Sequence, residues 1–170
     1  MDAPGLAHLT FGFASLVLGV GVFSRPKGTS VHRAIGALYV FSMFGLNLTA
    51  LLIYRVFGGF GPFHALSLIN LALLFAGFGT VILQRPRRSW LRYHYYFMGW
   101  SYVGLLAATA TEITVRVVGW PFVVAVTGPT ITVTILGGAV VQFLKRRTML
   151  RLGAGLRSPN ERMELARSGA

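Results

Sequence analysis

Long apolar stretches separated by short polar connections dominate the sequence. A transmembrane helix needs about 20 mostly apolar residues, because it must cross a hydrocarbon core about 30 Å thick. Such stretches cover residues 6–24, 31–57, 63–84, 93–118 and 121–144. They are continuous apolar runs and lack the strict alternation that strands of a membrane β-barrel require. The sequence therefore predicts an all-α, polytopic membrane protein with five transmembrane helices.

The first two predicted spans resemble the next two in layout. Each pair has one histidine near the start of its first helix and another near the start of its second, His8 and His32 in one pair and His64 and His94 in the other. The second histidine of each pair is followed by a glycine and then Tyr-Val, with one extra residue in the later copy. Duplication of a two-helix unit and chance similarity both explain this pattern. With the fifth span outside the repeat, we expect a four-helix bundle plus a peripheral fifth helix.

Basic residues are concentrated at one end of the predicted spans and set the orientation. They lie at 25–33, between spans one and two, at 85–92, between spans three and four, and throughout residues 145–170. The opposite side carries only Arg55 and Arg116, together with Asp2. The positive-inside rule then places the N-terminus outside and the C-terminus in the cytoplasm. Residues 145–170 become a basic cytoplasmic tail, and the expected location is the inner (plasma) membrane of the cell.

Composition agrees with a membrane protein and excludes several function classes. The 170 residues are 54% hydrophobic and 12% charged, whereas an average soluble domain is about 25% charged. The net charge is +12, and the basic residues that produce it flank the predicted spans. This position indicates contact with anionic lipid at the cytoplasmic face rather than with nucleic acid. The chain has no cysteine, so disulfides, iron–sulfur clusters and thiolate-ligated zinc are excluded.

The four histidines are the first candidates for function, because ionisable side chains are costly inside a membrane. His8 and His64 lie near the outer ends of their spans, and His32 and His94 near the inner ends. Two neutral imidazoles at equal depth can ligate one b-type haem axially. The pattern predicts a small membrane redox protein that binds haem b through paired histidines, with quinone as a candidate redox partner. The layout is similar to that of small di-haem b-type membrane cytochromes, although here each helix carries a single histidine.

A second interpretation is a metal or proton site at the outer face. Glu112 follows His94 by eighteen residues, which is five helical turns or about 27 Å along one face. It therefore reaches the depth of His8 and His64, and these three side chains form a chemically sound set of zinc ligands. The site would belong to a transporter or a metal-dependent membrane enzyme. Arg116, one turn after Glu112, offers a simple ion pair as the alternative explanation.

A third interpretation is a non-catalytic accessory subunit of a larger membrane complex. Each histidine also has a purely structural explanation, because imidazole suits the membrane interface. The chain has no nucleotide-binding glycine loop and no serine-nucleophile turn. Whether it is an enzyme stays open at this level.

Pro129 interrupts the fifth predicted span, in a segment that also contains Thr127, Thr130, Thr132 and Thr134. Proline removes one backbone hydrogen bond and leaves a carbonyl free. We expect a structural kink here, with the threonine hydroxyls satisfying the freed backbone groups.

The segment 27–36, KGTSVHRAIG, resembles an uncharacterised family of bacterial multi-pass membrane proteins. Members of that family carry a KGTxxHRxxG-like segment and further histidines at helix ends. The sequences around His64 and His94 fit this pattern, so the resemblance covers roughly spans one to four. It implies a multi-pass membrane fold and no particular activity, because the family is a domain of unknown function.

Overall fold

A computed structural model describes residues 3–54, 58–86 and 89–156, and in these parts the chain is helical apart from its connections. A π-helical segment, Thr114–Val118, extends the fourth helix. The five α-helices are α1 (Ala3–Ser24), α2 (Ser30–Ala50), α3 (Pro62–Leu83), α4 (Trp90–Ile113) and α5 (Phe122–Leu156). The predicted all-α class is confirmed.

Four helical segments of the described chain are long and apolar enough to cross a membrane. They are Ala3–Ser24, Pro62–Leu83, Trp90–Val118 and Phe122–Lys145. Helix α2 is not among them, and it carries His32 and Arg33 in its first turn and Asn47 near its end. A multi-pass membrane protein is therefore supported directly, whereas the fifth span and the orientation remain predictions.

The helix boundaries differ from the sequence expectation by three residues or more at four places, the first being the start of α1 at Ala3. Helix α2 ends at Ala50, and residues 55–57 of the span expected there lie outside the described residues. Helix α4 begins at Trp90, three residues before the expected start. Helix α5 continues to Leu156, so the first part of the expected basic tail is helical, and residues 157–170 lie outside the described residues.

Helices α1 to α4 form a closed antiparallel bundle. Helix α2 packs against α1 and α3, and α4 packs against α3 and α1. The register on α2 shows the antiparallel sense, because Gly12 of α1 faces Leu46 whereas Gly21 faces Ile35. Helix α5 contacts only α4 and the π-helical segment within the described chain. This confirms the expected four-helix bundle with a peripheral fifth helix.

We call the end of the bundle that contains the start of α1 the outer end, and the opposite end the inner end, after the predicted orientation. Between them lies a packed core of Tyr39, Met43, Leu74 and Leu105. The Tyr39 hydroxyl forms a hydrogen bond of 3.2 Å with the Ser101 hydroxyl and so crosses the bundle from α2 to α4. Lipid tails are as apolar as these side chains, so close packing and such hydrogen bonds stabilise the bundle in a membrane.

The expected role of Pro129 needs a correction. Pro129 lacks the N–H that would bond the Ala125 carbonyl, and the Thr114 hydroxyl donates to that carbonyl at 2.7 Å. The donor therefore comes from the π-helical segment of the neighbouring helix, because Thr127 and Thr130 instead bond carbonyls four residues earlier in α5. This contact ties the start of α5 to the end of α4.

Candidate functional site

The four histidines lie on four different helices of the bundle, His8 on α1, His32 on α2, His64 on α3 and His94 on α4. The outer pair thus belongs to α1 and α3, and the inner pair to α2 and α4. In the described chain no Cα atom of α1 lies within 8 Å of one in α3, and the same holds for α2 and α4. Each pair is therefore carried by diagonally opposed helices, on opposite sides of the bundle axis.

The imidazole of His94 is held by a backbone carbonyl of the neighbouring helix. Its Nδ1 lies 2.9 Å from the Gly77 carbonyl oxygen of α3. Because a carbonyl only accepts, Nδ1 carries the proton and Nε2 of the neutral ring keeps a free lone pair. Gly77 permits this approach, since a Cβ atom there would lie 2.8 Å from Sδ of Met98. His94 is thus oriented and has a nitrogen able to bind a metal.

His32 occupies the first turn of α2 at the same end of the bundle. The Thr29 hydroxyl caps this helix by accepting from the His32 backbone N–H at 3.1 Å. The Nδ1 atom of the ring is buried and has no hydrogen-bond partner among the described residues. The ring also lies close enough to His94 and Lys27 for their charges to act on it. The structure therefore places both inner histidines at the same end of the bundle and leaves the buried Nδ1 of His32 without a partner among the described residues.

Lys27 lies beside this inner pair, in the connection between α1 and α2. Its ammonium donates to the carbonyl oxygens of Val22 at 2.6 Å and Phe23 at 3.0 Å, and it sits 5.4 Å from the centre of the Phe23 ring. These bonds satisfy carbonyls at the end of α1, which have no partners within the helix. Burial lowers the pKa of the Lys27 ammonium from its usual value.

At the outer end, His8 reaches from α1 to α2. Its Nδ1 lies 3.2 Å from both the Leu46 carbonyl oxygen and the Thr49 hydroxyl oxygen. The Thr49 hydroxyl itself donates to backbone carbonyls of α2, so Nδ1 of His8 is the donor to it. The Nε2 atom of His8 consequently keeps its lone pair, as in His94.

The His64 ring accepts a hydrogen bond at Nδ1, whereas His8 and His94 donate from that nitrogen. The Gly61 backbone N–H donates to its Nδ1 at 3.1 Å, so the proton of the neutral ring lies on Nε2. The residue is only 2% exposed, and its ring packs against Tyr54 at 4.7 Å and Phe60 at 5.2 Å between ring centres. Its Nε2 is buried without a hydrogen-bond partner in the described chain. Ligation through Nε2 requires this ring to change tautomer and give up the Gly61 bond.

Glu112 is engaged in an ion pair with Arg116, one turn later on the same face. It is close enough to His8 for its charge to act on that ring. Nevertheless, no three His, Asp or Glu side chains of the described residues come together as a group that could hold a metal ion. The structure thus does not assemble His8, His64 and Glu112 into a three-ligand site, and it supports the ion-pair explanation for Glu112.

Sequence reasoning grouped the four histidines at the two ends of the bundle as the structure has them, but it missed the bonds of Lys27 to the end of α1. The sequence analysis counts Lys27 only among the basic residues that set the orientation of the helices in the membrane. The available signal was its position three residues after the first predicted span, since cations near the end of a helix can bond its last carbonyls.

These features define a small helical membrane protein with ionisable side chains at both ends of a four-helix bundle. A family model described as a predicted membrane protein, DUF2306, matches residues 5–146. The chain belongs to this family, which confirms the resemblance noted from the KGTSVHRAIG segment. No curated protein matches the chain, and neither does any solved structure.

Proposed function

We propose that this protein is a small integral membrane redox protein that binds haem b at the inner end of the bundle, with His32 and His94 as axial ligands. The observation that carries the proposal is the inner histidine pair itself. One ring is oriented with a free Nε2 lone pair, and the other has a buried nitrogen without a partner. When bound, haem b supplies an iron centre that exchanges one electron at a time.

The diagonal placement of the two helices supports this assignment. Cofactor sites in helical bundles are built from side chains on facing helices, and His32 and His94 would hold the haem iron from two such helices. Helices α2 and α4 face each other across the bundle axis without close backbone contact in the described chain. Below the inner pair, the bond between Tyr39 and Ser101 closes the core and would exclude water from that side of the site.

The other residues of the inner site have positioning roles in this proposal. The Gly77 carbonyl holds His94 in the required tautomer, as second-shell acceptors do for histidine ligands in metal sites. Thr29 fixes the start of α2 and with it the position of His32. Both roles are carried by atoms that the histidines already contact, but the His32 ring also bonds the Val22 carbonyl and would have to leave it for its Nε2 to ligate iron.

The outer pair supports haem less well. His8 has a free Nε2, but His64 holds its Nδ1 against the Gly61 N–H, and a second haem there would break that bond. We therefore assign one haem per chain and leave His8 and His64 as a weaker second site. The alternative zinc or proton site that includes Glu112 has even less support than a haem at the outer pair, because the Glu112 carboxylate is already paired with Arg116.

The proposal includes the topology with five spans. Helix α2 has 21 residues, or about 32 Å of helix, and lies antiparallel between α1 and α3, both long and apolar enough to span. We infer that α2 also crosses the membrane, with the N-terminus outside and the inner end at the cytoplasmic face of the plasma membrane. A redox partner would then reach the haem from the cytoplasm or, like quinone, from the bilayer.

Haem binding by matched variants tests the proposal. Protein purified in mild detergent from haem-replete cells should contain about one haem per chain by pyridine haemochrome assay, with axial ligation by two histidines. His32→Ala and His94→Ala should lose it, whereas His8→Ala, which removes a histidine at the other end, should retain it. Equal loss in His8→Ala would move the site to the outer end. Colourless protein that also fails to bind added haem would overturn the proposal, and co-purification with a larger complex would then favour an accessory subunit.

A further inference from the structure

We propose that His8 and His64 bind the head group of a hydroquinone, or quinol, at the outer end of the bundle. In this site His64 donates a hydrogen bond to one oxygen of the ring, and His8 accepts one from the hydroxyl at the opposite edge. As the redox partner of the haem, this ligand rests on the proposed function. The binding site itself is separate, because it is built from the outer histidines.

Both outer histidines lie on helix faces that point into the bundle. His8 precedes Ser15 of α1 by about two helical turns, so the two residues share a face, and Ser15 is 0% exposed. His64 is buried on the same face of α3 as Leu71 and Leu74, and Leu74 belongs to the packed core. The two imidazoles therefore border the interior of the bundle at its outer end.

The two rings offer opposite hydrogen-bonding groups at Nε2. The Nδ1 atom of His64 accepts from the Gly61 backbone N–H at 3.1 Å, so this nitrogen is unprotonated and Nε2–H is a donor. The Nδ1 atom of His8 lies 3.2 Å from the Leu46 carbonyl oxygen, which only accepts. This nitrogen is therefore protonated, and Nε2 of the neutral ring is an acceptor. The pair consists of one donor and one acceptor.

This combination selects among the ligands that two histidines can bind. A metal ion needs a lone pair from each ring and would meet the Nε2–H of His64. A carboxylate or a quinone carbonyl accepts from His64 but has no proton to donate to His8. A hydroxyl both donates and accepts, so a molecule with hydroxyls at opposite edges matches both rings. A hydroquinone carries its hydroxyls in this way on a flat ring that is otherwise apolar.

The positions of the two helices set the size of the ligand. His8 belongs to α1 and His64 to α3, and these helices are diagonally opposed in the described bundle. A ligand that contacts both side chains must therefore extend across the bundle axis. A six-membered ring with oxygens at opposite edges extends in this way, whereas a single ion is bound by groups that converge on one point.

The rings around His64 suit an aromatic ligand that arrives from the bilayer. Tyr54 and Phe60 pack against the imidazole, with 4.7 Å and 5.2 Å between ring centres. They are 48% and 65% exposed, so they cover the buried histidine from the surface of the outer end. Small-molecule sites are lined mainly by apolar and aromatic groups, with a few polar groups that fix the orientation of the ligand. A ligand can reach His64 by displacing either ring.

The test compares tetramethylhydroquinone with its dimethyl ether, in which neither oxygen carries a proton. The ether can still accept from His64 but cannot donate to His8. The full-length protein in detergent is titrated with each compound under dithionite, which keeps the hydroquinone and any haem reduced, and the Kd is measured by equilibrium dialysis. We expect the wild-type protein to bind the hydroquinone about tenfold more tightly than the ether, as expected for one hydrogen bond.

Substitutions at the two histidines should have different effects. His8→Phe should lose most of the preference for the hydroquinone, whereas His8→Gln should keep it, because an amide oxygen can accept in place of Nε2. His64→Phe should weaken the binding of both compounds about tenfold and leave their ratio unchanged, because both use this donor. Thr10→Val is the matched control and should leave both Kd values unchanged, because Thr10 is exposed and lies two residues after His8 on α1.

The ratio of the two Kd values isolates the contact with His8, because partial unfolding of a variant affects both compounds alike. His8→Leu serves as a second variant without an acceptor if His8→Phe is poorly folded. Equal binding of both compounds by the wild-type protein would overturn the inference, as would an unchanged preference in His8→Phe or His8→Leu, or unweakened binding in His64→Phe.

The haem content of the same samples separates this inference from the proposed function. Haem-containing protein that does not bind the hydroquinone would overturn the inference alone. Protein that binds the hydroquinone with the expected preference, but neither contains haem nor takes up added haem, would overturn the proposed function and leave the outer binding site in place.

Discussion

The two ends of the bundle have the same layout of histidines but offer them in different chemical states. At the inner end, His94 donates Nδ1–H to a carbonyl and His32 has a buried nitrogen without a partner in the described chain. At the outer end, His64 accepts a backbone N–H at Nδ1 and is enclosed by two aromatic rings. Its Nε2 is also buried without a partner in the described chain, but it carries the proton of the neutral ring. Residue spacing thus sets the depth of a histidine, whereas the local backbone decides which of its nitrogens can bind a ligand.

The two ends also differ in charge. The outer end contains an internal ion pair between Glu112 and Arg116. The described inner end has cations, among them Lys27, without an acidic partner of their own. The described outer end thus has an ion pair within one helix, which the described inner end lacks. Substitutions at matched positions of the two ends can break or sharpen this comparison.

The largest effect is expected from removing one histidine at each end. His94→Ala should lower the haem content at least tenfold, because the oriented axial ligand is lost. His64→Ala should leave the haem content close to that of the wild-type protein. Pyridine haemochrome analysis of monodisperse protein measures both. A greater loss in His64→Ala than in His94→Ala would reverse the assignment of the ends.

The next effect concerns the backbone that orients His94. In Gly77→Ala, the new methyl group would lie 2.8 Å from Met98 Sδ and 3.1 Å from the Cβ of Phe97. The Met98 side chain must therefore move, and because the Phe97 Cβ is fixed to the backbone of α4, we expect α3 and α4 to shift apart slightly and the His94 bond to lengthen. Overpacking of this kind costs about 1–3 kcal/mol, and haem affinity should fall as well. Gly12→Ala is the control at the outer end, because its methyl group would meet Leu46 at an ordinary 3.5 Å. Thermal unfolding in detergent and haem titration compare the two, and equal behaviour would contradict the importance of the close approach at Gly77.

A smaller effect is expected where the outer end anchors α5. Thr114→Val removes the donor to the Ala125 carbonyl, at a cost of about 1–2 kcal/mol, near the upper limit for hydrogen bonds between membrane helices. Thr109→Val is the control, because among the described residues that hydroxyl bonds only a carbonyl of its own helix. Chemical denaturation of the two variants should show the difference, and haem content should stay unchanged in both. Loss of haem in Thr114→Val would show that the two ends are coupled.

The smallest effect is expected at Glu112. Its ion pair with Arg116 is partly exposed, and pairs of this spacing contribute about 0.3–0.5 kcal/mol. Glu112→Gln should therefore lower the free energy of unfolding by no more than this amount. It should leave the haem content unchanged. Bound zinc in the wild-type protein that disappears in Glu112→Gln, measured by metal analysis, would revive the outer metal site.

The fold follows largely from the sequence, because apolar length and turn residues determine membrane helices in a direct way. The least predictable boundary is the end of α2, which stops at Ala50 although the apolar residues Leu51, Leu52 and Ile53 follow. The donor for the carbonyl freed by Pro129 was also unpredictable, because Thr114 belongs to a different helix and comes into contact only in the folded bundle.

The sequence predicts at which end of the bundle each histidine lies, but it does not predict which ring nitrogen carries the proton. Helical rise alone places His32 and His94 at one end of the bundle and His8 and His64 at the other. The tautomers depend on the Gly77 carbonyl and the Gly61 N–H, which are backbone groups that any residue type could supply. For Glu112, by contrast, the four-residue spacing to Arg116 was sufficient to predict the ion pair.

The most direct test of the central claim is the absorption spectrum of the wild-type protein before and after dithionite, recorded on detergent-purified protein from haem-replete cells. We predict a Soret band and α and β bands that sharpen on reduction, as two histidine ligands produce, at about one haem per chain. A flat visible spectrum that persists after titration with added haem would contradict the claim that the inner histidines form a haem site.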